Sequence, residues 1–409
     1  MAPVNTSRKY DLLLLGASGY TGKHTAEHIA GNLPTDLRWA IAGRSLNKLE
    51  ELARKLRHQF PDRLQPSMIE AVSVEDSAQV AAAVKQSRVC ISVVLYGITG
   101  ETVVRACAEN GCDYVDCAAL PPLLQTWIKN YDRTARDNGI ALIHGAGASA
   151  LPMDVMVWSA TRDIASKWGA KTKDSSSKNL SAGTIRTVLG QAALASKVIQ
   201  DAQKPSALSP VKHTGKDTHK RGVHRDPIVG VLSNSSVTAN QNRAIIYRSW
   251  GLLEGTGRSY GPNFAYSEYE KANSAFSGVV KFLQFYLVTF LISIARLGLM
   301  GNFLLSLAPE PGTGPTDEVA WAAQVGMEML AEADTVTPGR LVNKKFLWKG
   351  GNYPLTAMLM SQTAASLLYN RELEGGIKGG CLTPAILGGD LVERVTKAGG
   401  QISTTLIGE

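Results

Sequence analysis

Three glycines at three-residue intervals, Gly16, Gly19 and Gly22, follow four leucines in LLLLGASGYTG. Where a strand ends and a helix begins, such a loop can cradle a pyrophosphate, because the helix N-terminus offers free N–H groups and a partial positive charge. Gly16 takes the tight turn. Gly19 lets the backbone approach the phosphates, and Gly22 lets helix and strand pack closely. Ser18, Tyr20 and Thr21 fill the loop between them and belong to the same expected contact set.

The owner of the phosphate is read at the tip of the second strand. Sites for NAD place an acidic residue there to bond the ribose 2′-hydroxyl. Here the strand ends AIAGRSLNK, with Arg44 at the tip, Ser45 beside it and Lys48 one turn on. A guanidinium matches a phosphate through paired hydrogen bonds. The expected cofactor is therefore NADP(H).

Hydride transfer to a C=O or C=C bond leaves an anion that needs a proton or a donor. Short-chain dehydrogenases use a Tyr with a Lys four residues later, and none of the twelve tyrosines has one. Tyr96 and Gly97, in VVLYGITGE, stand where the fourth strand should overhang the nicotinamide half of the cofactor. Asp116 and Cys117 lie at the tip of the fifth strand, Cys117 reading as a small buried thiol. Arg248, Tyr260 and Tyr266 are the candidates from the second half of the chain. His144, near a strand end, reads as structural. The candidate catalytic set is Tyr96, Asp116, Arg248 and Tyr260. Water can also protonate the enolate left by an enoyl reduction. No metal site is expected.

The elements that must position these groups alternate in type. YDLLLLG, LRWAIAGR, SMIEAVSV, RVCISVVL, CDYVDCA and IALIHGAG read as strands, each followed by a helical pattern. Ser45 precedes a helix whose face carries Leu46, Leu49, Leu52 and Leu56, and Gly111 ends another. The strands are apolar on both faces, as a parallel sheet covered by helices requires. The expected fold class is α/β, a doubly wound parallel sheet with a second, mixed α/β domain. After Ala150, LPMDVMVWSATRDIASKW reads as a helix, and a polar region rich in Ser, Lys and His runs to about Asp226. IVGVLSN and RAIIYRSWGLLEG have strand character, and a new helix starts after Pro384.

At 409 residues the chain favours two domains, and 44% apolar with 19% charged residues is ordinary for a globular protein. The net charge of +8, with a cluster between Lys197 and Arg225, suits phosphate-bearing cofactors or anionic membrane surfaces. No nucleic-acid motif accompanies the charge, so no nucleic-acid partner is expected. Cys90, Cys107, Cys112, Cys117 and Cys381 are odd in number, and MAPVNTSRKY lacks the apolar run of a secretory signal. Reduced thiols in a cytoplasmic setting are expected. His213, His219 and His224, in HTGKDTHKRGVH, fit no metal-ligand spacing and read as part of a flexible, solvated loop.

One segment stands apart. Between Phe282 and Pro309 the only charge is Arg296. The uncharged stretch from Phe282 to Ala295 has fourteen residues, short for a membrane span. A longer span would place Arg296 near its middle, at a cost of about 2.5–3.5 kcal/mol. Two readings stay open: a buried helix or homodimer face, or an element on a membrane or lipid-droplet surface with Lys281 and Arg296 near headgroups.

The chain resembles the saccharopine dehydrogenase-like oxidoreductases, including their trans-acting enoyl reductase branch. The matching pieces are GASGYTG, WAIAGRSLNKL, VVRACAENGCDYVDC, IALIHGAG, IIYRSWGLLEG, SYGPNFAYSEYEK, PEPGTGPTDE and GGCLTPAILGGDLVERV, which span most of the chain. The resemblance implies a Rossmann domain over residues 1–150, a substrate or oligomerisation domain over 151–375 and a C-terminal segment, 376–409, packing back on the first domain. It also implies reduction with NADPH of lipid-like or polyketide-like substrates. Three places depart from the family pattern. A Gly-Pro-Tyr turn is replaced by Leu95-Tyr96-Gly97, a Gly-Glu pair by DCAALPP, and Gly-Phe-Asp-Ser-Ile-Pro-Ser-Asp by the residues from Gly147 to Asp154. Polar residues have given way to apolar ones where substrate should meet cofactor. The expectation is an NADPH-dependent oxidoreductase reducing an enoyl C=C or a C=O bond of a hydrophobic substrate. A catalytically silent NADP-binding scaffold at a lipid surface and a C–N dehydrogenase stay open as alternatives.

Overall fold

The computed structural model describes residues 8–69, 72–179, 204–215, 218–296 and 314–408, without the side chains of 178–179 and 292–296. The chain divides into two compact units. The first comprises Met1–Leu151, Gly312–Ala323 and Gly350–Gly400. It opens with β1 (Tyr10–Leu15), α1 (Tyr20–Asn32), β2 (Trp39–Ala42), α2 (Leu46–Gln59), β3 (Ser67–Ile69) and α3 (Ser77–Lys85). There follow β4 (Ser87–Ser92), α4 (Tyr96–Asn110), β5 (Asp113–Val115), α5 (Pro121–Asp137) and β6 (Ala141–Ile143). Later parts of the chain add α9 (Asp317–Ala322), α10 (Asn352–Tyr369), β13 (Gly380–Leu382) and α11 (Gly388–Lys397).

All pairings in this seven-stranded sheet are parallel, in the order β13-β6-β5-β4-β1-β2-β3. Leu12, Leu13, Leu14 and Leu15 of the central β1 are completely buried, which is why four leucines can run together without alternation. Of residues 354–368 in α10, all but Thr356 are buried; the helix packs on α1, β4 and β5. A helix enclosed on all sides must satisfy its own polar groups. Ser361 and Thr363 do so by donating to the carbonyls of Ala357 and Leu359, both at 2.7 Å.

The second unit comprises Pro152–Pro311, Gln324–Lys349 and Gln401–Glu409. Most of α6 (Ala150–Trp168) belongs to it. Next come β7 (Lys171–Asn179), β8 (Val223–Asp226), β9 (Gly230–Ser233), α7 (Ala239–Leu253), β10 (Tyr266–Ala272) and α8 (Ala275–Arg296). The long hairpin β11 (Gln324–Asp334) and β12 (Leu341–Lys349) and the edge strand β14 (Gln401–Ile407) complete its sheet, ordered β14-β12-β11-β7-β10-β9-β8. Only β7 and β10 pair in parallel. The architecture is α/β with a doubly wound parallel sheet and a second mixed sheet, as the sequence implied.

Three local expectations change. The chain rejoins the first unit well before residue 376: α9 and α10 already belong there, whereas β14 belongs to the second unit. An all-round apolar helix such as α10 needs a sheet and a helix to cover it, and α1, β4 and β5 provide both. RAIIYRSWGLLEG lies mostly in α7, a helix, because its residues are buried on several faces and a short apolar run does not distinguish a strand from a buried helix. The histidines of the polar stretch pack against residues of the second unit. The Nε2 of His213 donates to the Phe264 carbonyl at 2.6 Å while its ring meets Tyr247 and Trp250 edge-on, and His219 stacks on Tyr269.

Candidate cofactor site

Parallel α/β sheets bind ligands where the strand order reverses, beyond the carboxyl ends of the strands. Here the chain runs from β1 outward to β3 and then returns to the other side of β1 as β4. The crevice therefore opens at Gly16 and Val93. Gly16 has φ of 87°, and a Cβ there would lie 3.2 Å from the Val93 carbonyl carbon. A Cβ on Gly22 would come within 2.6 Å of the Ala17 carbonyl oxygen and closer still to that of Gly16. Only glycine allows α1 to sit this low on the loop. At Gly19 the nearest protein atom to a Cβ is 3.4 Å away, so the protein itself leaves that position room.

Four of the helices that begin at the carboxyl edge of the sheet are electrostatically bare. None of α1, α2, α4 and α5 has a side-chain cap or an acidic residue in its first turn. Ser45 sits at the cap position of α2 but its hydroxyl caps nothing. By contrast α3 is capped by Asp76, which accepts from the N–H groups of Ala78 and Gln79. The first N–H groups of a helix have no partner within it, and the aligned peptide dipoles add positive potential there. The glycine cradle and the bare α1 terminus fit a pyrophosphate.

Arg44 and Lys48 are exposed just past β2, Ser45 is half-buried, and neither cation makes an ion pair among the described residues. A Cβ on Gly43 would lie 3.5 Å from the Ser18 hydroxyl, so the AGRS turn adjoins the glycine loop. The guanidinium and ammonium are thus free to take a phosphate on the ribose beside the pyrophosphate.

Tyr20 has partners that the local sequence does not disclose. Its hydroxyl donates to the Pro315 carbonyl at 2.7 Å, and its ring meets Tyr353 and His24 edge-on at 4.8 and 4.9 Å. A Cβ on Gly314 would collide with that ring. His24 lies 3.7 Å from Asp317 and 3.8 Å from Glu27. Burial, together with Asp317 and Tyr353, pushes the Tyr20 phenol up. The segment GTGPTDE matched a family motif, but nothing in its composition ties it to the loop.

At the tip of β4, Tyr96 opens α4 half-buried and Gly97 is exposed, flanked by exposed Leu95 and Ile98, the latter 79% accessible. Asp116 is buried instead. It accepts from the Tyr114 hydroxyl at 2.9 Å and the Ala118 N–H at 3.0 Å, and the Nδ1 of His144 lies 3.2 Å away. This carboxylate ties the tips of β5 and β6 together. Burial and the Asp116 charge push Tyr114 well up and Cys117 up to about 12. A Cβ on Gly147 would come within 2.8 Å of the Cys117 Cβ, so these two tips touch.

Within the second unit, Arg248 and Tyr260 are interior residues. Arg248 donates to the Leu208 carbonyl at 2.6 Å, and Tyr260 packs edge-on to Phe264. The Tyr266 phenol, pushed well up by burial and Glu268, lies 2.5 Å from the Ser177 hydroxyl and donates to Glu268. Of the expected catalytic set, only Tyr96 stands at an accessible edge of its own unit. Asp116, Arg248 and Tyr260 are buried, Asp116 bonded to Tyr114 and Ala118, Arg248 to Leu208, and Tyr260 packed on Phe264.

Residues 12–143 match the family model described as the saccharopine dehydrogenase NADP binding domain. Along nearly its whole length the chain is similar to mycobacterial proteins. One from Mycobacterium tuberculosis, provisionally named a trans-acting enoyl reductase, is 28% identical over 98% of each chain. A trans-acting enoyl reductase of Mycobacterium leprae is 26% identical over 97% of this chain and 98% of its own. The resemblance read from the motifs, the NADP(H) cofactor and the oxidoreductase class all agree with these matches.

Proposed function

We propose that this NADP-dependent oxidoreductase, built on a saccharopine dehydrogenase-type NADP-binding domain, reduces the C=C bond of a hydrophobic enoyl substrate. The observation that carries the reading is the bare N-terminus of α1, seated on Gly22, with unpaired Arg44 beside it. Gly16, Ser18, Gly19, Tyr20, Thr21 and Gly22 bind the pyrophosphate through backbone N–H groups and the α1 dipole. Arg44, with Ser45 and Lys48, takes the 2′-phosphate. Tyr96 and Gly97 border the nicotinamide position, and Leu95 and Ile98 give it an apolar rim suited to a hydrophobic chain.

When bound, NADPH supplies the hydride. The protein's part is to hold the cofactor, keep the rim apolar and protonate the resulting enolate. Tyr96 donates that proton, with water as its substitute. The relatives' printed names support the enoyl assignment.

The test is direct. NADPH should bind saturably and more tightly than NADH, and absorbance of NADPH should fall when a long-chain enoyl thioester is added, with a saturated product by mass. Tighter NADH binding would overturn the cofactor assignment. Cofactor binding without turnover on enoyl or carbonyl substrates would overturn the reductase reading.

A further inference from the structure

In the second unit, the N-terminal end of α8 is anchored. Ser274 and Ser277 cap it reciprocally, each hydroxyl accepting from the other's backbone N–H at 3.1 and 3.0 Å. The Gly278 carbonyl accepts from Ser233, and a Cβ on Gly278 would come within 2.8 Å of Val223, so the first turn lies tight on the β8–β9 hairpin. Lys281 reaches back to Glu270 at 2.5 Å and to the Lys271 carbonyl at 3.0 Å. Beyond Phe282 most of the described side chains of the helix are exposed.

From there the helix exposes Leu283, Tyr286, Leu287, Val288, Phe290 and Leu291, with Leu283 and Phe290 about 60% accessible. At roughly 100° per residue these side chains sweep about 200° of arc. A helix that packs on a protein core needs an apolar stripe of only about 100°. One flat protein partner would leave much of this arc in water, whereas fluid acyl chains cover it from every direction. The segment from Phe282 to Ala295 carries no charge, and the Thr289 hydroxyl is satisfied inside the helix by the Phe285 carbonyl at 2.8 Å. Both properties suit hydrocarbon, whereas the exposed Gln284 amide, which lies in the same arc between Leu291 and Val288, favours a helix at the headgroup boundary over one sunk in the acyl core.

The stretch measures only about 21 Å, short of a hydrocarbon core of roughly 30 Å. Accordingly, no described helix is long and apolar enough to cross a membrane. Charge marks the anchored end. Lys220, Arg221 and Arg225 are exposed on and just before β8, whose Val223 lies against Gly278 in the first turn of α8, and Lys271 is exposed two strands away on β10. Among the described residues, Asp226 accepts from the N–H groups of Ile228 and Val229, and Glu270 pairs with Lys281.

We infer that α8 docks into one leaflet of an anionic phospholipid bilayer, its apolar half among the acyl chains and the basic cluster around β8 at the headgroups. The inference rests on the second unit alone and stands or falls apart from the reductase reading.

Flotation of the full-length protein with phosphatidylcholine vesicles, with and without phosphatidylserine, tests it. The protein should float with the vesicles, more with phosphatidylserine and less at high salt. The double variant Leu287→Asp, Phe290→Asp should lose more than about tenfold of the bound fraction. Lys220→Glu with Arg225→Glu should remove the phosphatidylserine dependence. All of these positions are exposed, so the melting temperature and NADPH affinity of the variants should match the parent, which separates lost docking from lost folding. Failure of the parent protein to float with either vesicle would overturn the inference. So would a stable dimer that Phe290→Asp splits without any flotation having been seen, which would make a second copy the occupant.

Discussion

The hydroxyl of Tyr20, inside the glycine loop, donates a 2.7 Å hydrogen bond to the carbonyl of Pro315, 295 residues further along the chain. The pyrophosphate cradle is therefore held from outside by a strap that also places Gly314 against the Tyr20 ring and Asp317 beside His24. Tyr20→Phe keeps the ring and removes the bond. It should cost about 1 kcal/mol of stability, lower the melting temperature by a few degrees and weaken NADPH binding severalfold. Gly314→Val, which must displace the ring, should cost more. Scanning calorimetry and fluorescence titration would show both, and a Tyr20→Phe protein equal to the parent in each would remove the strap from the site.

The glycines of the edge are not equivalent. Gly22→Ala puts a methyl into the carbonyls of Gly16 and Ala17 and should abolish detectable NADPH binding while destabilising the first unit. Gly97→Ala meets nothing within 4 Å and sits in α4, so it should leave stability unchanged or raise it by up to about 1 kcal/mol. Any loss of NADPH affinity in Gly97→Ala then reports contact with the cofactor itself.

Arg44→Glu should raise the dissociation constant for NADPH by about a hundredfold, the loss of a charge-assisted phosphate contact plus repulsion, and change that for NADH little. Isothermal titration with both nucleotides measures the ratio. Equal losses for the two would place Arg44 away from the 2′-phosphate.

Acid should weaken the first unit through His28. Burial between α1 and α10 holds its pKa down to about 4, against an ordinary 6.5, and its Nε2 lies 3.1 Å from the Gln362 amide nitrogen. Between those two values the unfolded chain takes up a proton that the native ring refuses. Stability is therefore complete above about pH 6.5 and falls as the pH drops towards 4, by up to about 3 kcal/mol. Urea midpoints measured across that range should show the slope, and His28→Asn should flatten it.

The Cys117 thiol, pushed up to about 12 by burial and the Asp116 carboxylate, should stay protonated at neutral pH and react slowly. Iodoacetamide at pH 8 should modify it in denaturant far faster than in the native protein, as peptide mapping would reveal. Rapid native labelling would mean that the tips of β5 and β6 open.

What the sequence determined by itself is local in its physics. The six apolar runs, the glycine spacing and Arg44 at the end of β2 were legible because strand burial, turn geometry and helix dipoles act over a few residues. The tertiary structure decided the rest. It turned Asp116 inward onto Tyr114 and His144, enclosed Arg248 and Tyr260, made a helix of RAIIYRSWGLLEG and brought Pro315 to Tyr20. It also left Leu283, Leu287 and Phe290 of α8 exposed, where the sequence allowed either a covered or an exposed helix. Whether a side chain is a buried brace, an open donor or an uncovered surface depends on which distant elements pack over it, and that information is absent from the spacing of its neighbours.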